Sequence, residues 1–214
     1  MNKIDLIKQP VAKELEEFRG LFEDSLTSTD PLLGEVLSYV KKRSGKMMRP
    51  ILVMLMAKLF GTLSDSTFHV ALSLELLHTA TLIHDDVIDE TKQRRGESDE
   101  RRGQSSVNAI YNNKVSVLVG DYMLATSLKH AAHTGKVELV ELVACLGQEL
   151  SEGEILQLGN TGKEDFAEDT YFDIIRKKTA ALFKASAQSG AVSANASPEE
   201  AMKAALFGEM IGIA

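Results

Sequence analysis

The chain contains one long apolar helical pattern that begins near His69 and ends in a cluster of acidic side chains. Residues 84–89 read His-Asp-Asp-Val-Ile-Asp, and no turn signal precedes them. Three carboxylates at the C-terminal end of a helix repel one another and oppose the helix dipole. A hard divalent cation such as Mg²⁺ would offset that cost, because it prefers oxygen ligands and can be shared with substrate phosphates. We therefore predict a metal site at Asp85, Asp86 and Asp89, although a solvated helix end is the alternative.

The rest of the sequence favours helices rather than strands. Only four prolines occur in 214 residues, and no segment shows the strict two-residue alternation of half-buried strands. A hydrophobic content of 44% is enough to form a core. We predict an all-α fold in a single domain, residues 1–214. Helices are expected over residues 11–26, 32–40, 51–60, 65–89, 107–133, 136–159, 167–190 and 198–214.

Charge and cysteine content disfavour several classes of protein. The formal net charge of -7 argues against nucleic-acid binding, which needs a basic face. Cys145 is the only cysteine, so no internal disulfide can form, and its place in the apolar run 142–146 predicts a buried thiol. The sequence shows neither a signal peptide nor a transmembrane segment. We expect a soluble protein of the reducing cytoplasm.

The residues before the acidic cluster define a helix face. His78 lies seven residues before Asp85, and this spacing places both on one side of a helix. Leu77, Ala80 and Thr81 precede the cluster on the same side and are expected to line any cavity beneath it. His78 is interpreted equally well as a packed core histidine.

Three groups of basic side chains could bind phosphate. The segment Gly45–Pro50 carries two cations beside a predicted helix N-terminus, which also favours anions. A tandem seven-residue duplication, residues 90–103, carries two arginine pairs, and arginine suits bidentate phosphate binding. Salt bridges or solvated faces would also explain these groups. The candidates are Lys46 and Arg49, then Arg94-Arg95 or Arg101-Arg102, and then Lys178 with Thr179.

Together these motifs resemble the trans-isoprenyl (polyprenyl) diphosphate synthases of the long-chain type. The resemblance rests on the order of several spaced motifs, which are residues 77–89, Gly45-Lys46-x-x-Arg49-Pro50, Arg-Arg-Gly, Gly120-Asp121-Tyr122, Gly153-Glu154-x-x-Gln157 and Lys178-Thr179-Ala180. It implies an isoprenoid synthase-type helical bundle around a central apolar cavity, with two diphosphate sites at the mouth. The implied reaction is a Mg²⁺-dependent condensation of isopentenyl diphosphate with an allylic diphosphate, either farnesyl or geranyl diphosphate.

The resemblance also implies a role for each candidate residue. Asp85 and Asp89, supported by Asp86, would hold Mg²⁺ on the allylic diphosphate. Isopentenyl diphosphate would bind at Lys46, Arg49, His78 and the second arginine of the functional pair, Arg95 or Arg102. The allylic diphosphate would contact Gln157, Lys178, Thr179 and the first arginine, Arg94 or Arg101.

In this family the side chains about one turn before the first aspartate form the floor of the cavity and limit product length. Leu77, Ala80 and Thr81 occupy that region, and no aromatic side chain is among them. We therefore expect a long-chain all-trans polyprenyl product.

The sequence departs from the family pattern in two places. The duplication leaves open whether Arg94-Arg95 or Arg101-Arg102 is the functional pair. The family's second aspartate-rich motif is expected just after Ala214, so we expect the domain to be truncated at its C-terminus.

Two rival functions remain at this point. One is a non-catalytic subunit or an inactive fragment of such a synthase. The other is a histidine-aspartate metal phosphohydrolase, in which His84 and Asp85 would form the dyad, with further ligands from His69, His78, His130 and His133. The family resemblance also leads us to expect a homodimer formed through the helices of residues 107–159.

Overall fold

The computed structural model describes residues 3–42, 45, 47–89, 105–162 and 167–214, and its regular elements in these ranges are all helical. The all-α prediction is confirmed. None of the helices in these ranges has both the length and the apolarity needed to cross a membrane. In chain order the helices are α1 (Lys3–Lys8), α2 (Ala12–Ser25), α3 (Pro31–Lys41), α4 (Met48–Phe60), α5 (Asp65–Ile88), α6 (Val107–Tyr111), α7 (Asn113–His133), α8 (Val137–Asn160), α9 (Glu168–Ile175), α10 (Ala181–Ser193) and α11 (Pro198–Ile213).

Helix α5 is the central element of the bundle. All of its residues from Val70 to Leu77 are buried, and it packs against α4, α7, α8 and α10, most extensively against α7. A helix that is apolar on every side is stable only when other helices surround it. The long apolar pattern in the sequence therefore becomes the core helix, and its acidic end emerges at one end of the bundle.

Small polar side chains allow close contact between α5 and its neighbours. The hydroxyl oxygens of Ser73 and Ser127 lie 3.0 Å apart, and the Ser127 hydroxyl also lies 2.8 Å from the Ser73 carbonyl oxygen. The Thr67 and Ser193 hydroxyls lie 2.9 Å apart between α5 and α10. Each of these buried hydroxyl groups has a hydrogen-bond partner. Their burial therefore does not incur the free-energy cost of an unsatisfied polar group.

Two predicted helices are interrupted in the structure. The stretch 107–133 is divided at Asn112, whose φ is 75° and whose side chain accepts hydrogen bonds from the backbone N–H groups of Lys114 and Val115. The stretch 167–190 contains a π-helical segment, Arg176–Ala180, between α9 and α10. We refer to this segment as the π segment. Such interruptions often coincide with functional sites.

The prediction of a buried cysteine was wrong, because Cys145 is exposed on α8. The buried residues of α8 include Leu139, Val143, Leu146 and Leu150, which recur at the spacing of one helix face. Cys145 precedes Leu146 by one residue and is therefore rotated about 100° away from that face.

Candidate active site

A cavity of about 420 Å³ lies between the C-terminal half of α5, the C-terminal half of α8 and the π segment with the start of α10. Its apolar lining comes from leucine and isoleucine side chains, and polar groups from three elements share the same space. Such a combination is typical of small-molecule sites. The lining residues are His78, Thr81, Leu82, His84, Asp85, Ile88, Leu150, Ser151, Glu154, Ile155, Leu158, Lys178, Thr179 and Leu182.

The three aspartates at the end of α5 have different surroundings. Asp85 is partly buried and lines the cavity, whereas Asp89 is exposed at the C-cap of the helix. Asp86 is only 4% exposed, and its carbonyl oxygen accepts a hydrogen bond of 3.0 Å from the Asn108 amide. Asp85 and Asp89 therefore offer two accessible oxygen ligands one turn apart, which suits a hard divalent cation. Asp86 anchors this helix end to α6.

The π segment brings Lys178 and Thr179 to the same cavity that Asp85 lines. The Lys178 ammonium donates a hydrogen bond of 2.9 Å to Gln157 and forms an ion pair with Glu154. Gln157 thus contacts Lys178 and does not itself line the cavity. Two residues of α8 hold the lysine in position.

Glu154 is a site residue whose role was not predicted from the sequence. It is 8% exposed, lines the cavity and pairs with Lys178 through Oε2, while its buried Oε1 has no hydrogen-bond partner within the described ranges. Its spacing of three residues from Gln157 was the available signal, since that spacing places both on one helix face.

A close approach of α8 to the π segment depends on Gly153. A Cβ atom at this position would lie 2.9 Å from the Lys177 Cβ and 3.0 Å from the Lys178 Cγ. The first contact is too short for two carbon atoms, so the Lys177 Cβ and the backbone that carries it would have to shift. The glycine therefore sets the position of Lys178.

Arg49 does not line the cavity but is bound to α5. Its Nε lies 2.9 Å from Glu75 Oε2 and its Nη2 lies 3.4 Å from Glu75 Oε1. Glu75 is 3% exposed, and one helical turn separates it from His78, which does line the cavity. Glu75 could not be assigned from the sequence, because nothing in an apolar helix indicates which distant cation pairs with a lone carboxylate.

The three predicted floor residues lie at different depths. Thr81 lines the cavity, and its hydroxyl donates a hydrogen bond of 2.8 Å to the His78 carbonyl. Leu77 and Ala80 are 4% and 0% exposed in the hydrophobic core and are not among the lining residues.

The predicted histidine ligands are divided between two ends of α5. His84 lines the cavity, and its Nε2 lies 3.2 Å from the Val117 carbonyl and 3.5 Å from an Asp121 oxygen. This arrangement needs Gly120, since a Cβ there would lie 2.2 Å from the His84 ring. His69, His130 and His133 lie together elsewhere, so they do not converge on the His84-Asp85 dyad. The phosphohydrolase interpretation is not favoured.

Five predicted site residues fall outside the described ranges. They are Lys46, Arg94, Arg95, Arg101 and Arg102.

Comparison with known proteins identifies the family of the chain. A family model described as Polyprenyl synthetase matches residues 30–214. Octaprenyl diphosphate synthase of Escherichia coli (strain K12) is 32% identical over 211 residues, which are 99% of this chain and 63% of that protein. The crystal structure of geranylgeranyl pyrophosphate synthase from Bacteroides thetaiotaomicron has 49% sequence identity and a TM-score of 0.81, with 100% of this chain and 62% of that chain covered. The crystal structure of a decaprenyl diphosphate synthase from Rhodobacter capsulatus has 34% identity and a TM-score of 0.90, with coverage of 98% and 63%.

The chain spans less than two thirds of the length of each of these relatives. Within this chain, however, the matches extend over almost every residue. The chain therefore belongs to the polyprenyl synthetase family, as the resemblance to trans-isoprenyl diphosphate synthases predicted.

Proposed function

We propose that this chain provides the catalytic cavity of a prenyltransferase that condenses isopentenyl diphosphate with farnesyl or geranyl diphosphate. The proposed product is a long-chain all-trans polyprenyl diphosphate. The observation that carries the proposal is one cavity with leucine and isoleucine walls, which is lined by Asp85 from α5 and by Lys178 and Thr179 from the π segment. An apolar chain and a charged diphosphate are the two parts of an allylic substrate, and this cavity suits both.

Enzymes of this family use a divalent metal. We propose that the metal is Mg²⁺ and that Asp85 and Asp89 bind it, with Asp86 in a supporting role that its burial favours. Bound there, the cation would neutralise charge on the allylic diphosphate and so make it a better leaving group.

The remaining chemistry is assigned to residues of the chain. Lys178, held by Glu154 and Gln157, offers a fixed positive charge to the diphosphate, and Thr179 offers a hydroxyl donor. The carbon–oxygen bond of the allylic diphosphate breaks, and a carbon–carbon bond forms to the alkene of isopentenyl diphosphate. A proton then leaves to restore the alkene and passes to the departed diphosphate. Breaking the carbon–oxygen bond leaves positive charge on the allylic carbon atoms. The apolar walls exclude water, which would otherwise react with this allylic carbocation.

The binding site for isopentenyl diphosphate is proposed at Arg49, His78 and Lys46, together with Arg95 or Arg102. The Arg49 guanidinium is held by the Glu75 carboxylate, and Glu75 lies one helical turn before His78 on α5. A guanidinium fixed in this way needs little reorganisation to bind a diphosphate.

The test is an incubation with farnesyl diphosphate, labelled isopentenyl diphosphate and Mg²⁺, followed by mass spectrometry of the products. The given chain and the complete product of its gene should be assayed in parallel. Extended prenyl products are expected, and Asp85→Asn should reduce their rate by roughly 100-fold. The matched control is Asp24→Asn, an exposed aspartate of α2, which should not change the rate. Binding of both substrates without any product from either protein would instead indicate a non-catalytic subunit.

We also propose a cytoplasmic homodimer formed through α7 and α8. Large apolar side chains on these helices are exposed, including Leu118 at 68% and Val137 at 81%. Light scattering after gel filtration should give twice the monomer mass. Leu118→Glu should shift it to the monomer, whereas Leu59→Glu, at a 70% exposed leucine of α4, should not.

A further inference from the structure

Three imidazole side chains meet where α5 packs against α7, and none of them lines the cavity. His69 lies near the start of α5, and His130 and His133 lie in the last turn of α7. One nitrogen atom from each ring can be chosen so that all three lie within 4.8 Å of one another. His69 and Asp85 are separated by sixteen residues of one helix, which corresponds to roughly 24 Å. The cluster therefore takes no part in the proposed prenyl transfer.

The rings already approach the spacing of metal ligands. The Nδ1 atoms of His69 and His130 lie 3.1 Å apart in a hydrogen bond, which a metal ion bound to both rings would replace. Two nitrogen ligands on one tetrahedral zinc ion, each about 2.1 Å from the metal, lie about 3.4 Å apart. His130 and His133 are three residues apart and so share one face of α7. His133 is exposed, and a change of its side-chain rotamer can close the remaining gap.

The charge state of the rings also suits metal binding. Burial, followed by the neighbouring His69, His133 and Lys129, lowers the pKa of His130 to about 4. Burial and His133 lower the pKa of His69, while Asp65 acts in the opposite direction. Both rings are therefore neutral at neutral pH, and the neutral imidazole is the form that binds a metal.

We propose that His69, His130 and His133 bind one divalent transition metal ion, of which Zn²⁺ is the representative. Imidazole nitrogen atoms suit Zn²⁺, whereas Mg²⁺ is usually bound by the oxygen atoms of carboxylates and water. The exposed side of the cluster leaves a fourth position for water. The bound ion would join the start of α5 to the end of α7 and so stabilise the contact between the two helices. This proposal does not rest on the proposed prenyl transfer.

The experiment is a titration of chelator-treated protein with Zn²⁺, in excess Mg²⁺ so that the aspartates do not compete for zinc. Calorimetry should give one equivalent of Zn²⁺ per chain. Substitution of Co²⁺ should give the visible absorption of tetrahedral nitrogen coordination. Zn²⁺ should also raise the melting temperature, since only the folded chain brings the three ligands together.

The informative variant is His133→Ala, because an exposed side chain can be removed without unfolding the bundle. It should weaken Zn²⁺ binding by more than ~10-fold. Replacing a residue that only hydrogen-bonds to a metal ligand already lowers metal affinity by about that factor, and replacing the ligand itself should lower it at least as much. Lys129→Ala, one turn away on α7, and His78→Ala, in the cavity, should bind Zn²⁺ as the parent does. Cys145→Ser tests the exposed thiol in the same way.

Three results would overturn the proposal. They are an absence of Zn²⁺ binding in excess Mg²⁺, unchanged binding by His133→Ala, and loss of binding in Cys145→Ser or in Asp85→Asn. None of these readouts depends on enzymatic activity.

Discussion

The pair formed by Arg49 and Glu75 illustrates what one buried carboxylate requires. The Glu75 side chain is 5% exposed and the Arg49 side chain 18%, so neither charge is well hydrated. Removing one member of a buried pair leaves the other charge without compensation. The sequence suggested the arginine as a phosphate ligand, but the structure adds that part of its binding capacity is used within the protein.

We predict that Arg49→Met lowers the free energy of unfolding by about 3–5 kcal/mol, because it leaves Glu75 buried without its partner. Urea unfolding measures this change. Arg19→Met is the control, since Arg19 pairs with Glu16 on the surface, at 47% and 77% exposure, and such pairs contribute less than about 1 kcal/mol. Equal effects of the two substitutions would contradict the prediction. The double variant Arg49→Met with Glu75→Gln should recover part of the lost stability.

The cavity floor gives a second prediction for single residues. Thr81 lines the cavity, whereas Ala80 is fully buried beside it. Thr81→Phe should therefore shorten the product by filling the cavity. Ala80→Phe should mainly overpack the core, at a cost of about 1–3 kcal/mol. Mass spectrometry of the products and thermal unfolding separate the two effects. If Thr81→Phe leaves the range of product chain lengths unchanged, Thr81 does not form part of the cavity floor.

At the scale of elements, helix starts were predictable where a local side chain satisfies the backbone. Asp30 accepts a hydrogen bond of 2.8 Å from the Leu33 N–H, and Pro31 is the first residue of α3, one residue before the expected start of this helix. The break at Asn112 was missed, because an asparagine in a helical pattern does not reveal whether it will adopt a positive φ. The π segment was missed as well, since tertiary contacts decide where an extra residue enters a helix.

The contact between α8 and the π segment can be tested through glycine. Gly153→Ala places a methyl group 2.9 Å from the Lys177 Cβ, so the π segment must shift and carry Lys178 with it. We expect a decrease in prenyl transfer of at least ~10-fold, since small displacements of catalytic groups have large effects on rate.

Gly159→Ala is the matched control on the same helix, because an added Cβ there has no atom within 4 Å. It should retain activity and gain up to about 1 kcal/mol of stability from the better helix former. Rate assays and thermal unfolding of both variants provide the comparison. Full activity in Gly153→Ala would show that the position of Lys178 does not depend on this glycine.

At the scale of the whole molecule, the sequence predicted one long apolar helix and the acidic end at which it stops. It did not predict that Glu154 would hold Lys178 across the cavity, or that three histidines would meet at the opposite end of α5. Both groupings join residues more than twenty positions apart. Helical periodicity assigns a residue to a face of its own helix, but it does not identify the helix that this face will meet.

Packing of α5 against α7 also makes stability depend on pH. The pKa of His130 is about 4 in the folded protein and near 6.5 when the ring is exposed to water. Between these values the unfolded chain binds a proton that the folded chain does not, so stability decreases as the pH falls from 6.5 towards 4. The pKa of His69 is also lowered, so this residue too makes stability decrease as the pH falls. The Asp65 carboxylate raises the pKa of His69 and so reduces this effect.

We therefore predict that His130→Asn, measured with a chelator present, loses less stability than the parent protein between pH 6.5 and 5. This window lies above the ordinary titration range of carboxylates, which contribute mainly at lower pH. Urea unfolding at several pH values measures the slope. His84→Asn is the control, because its ring lies at the cavity, away from this contact. An equal slope for His130→Asn and the parent protein would mean that burial of His130 at the α5–α7 contact does not cause the acid sensitivity.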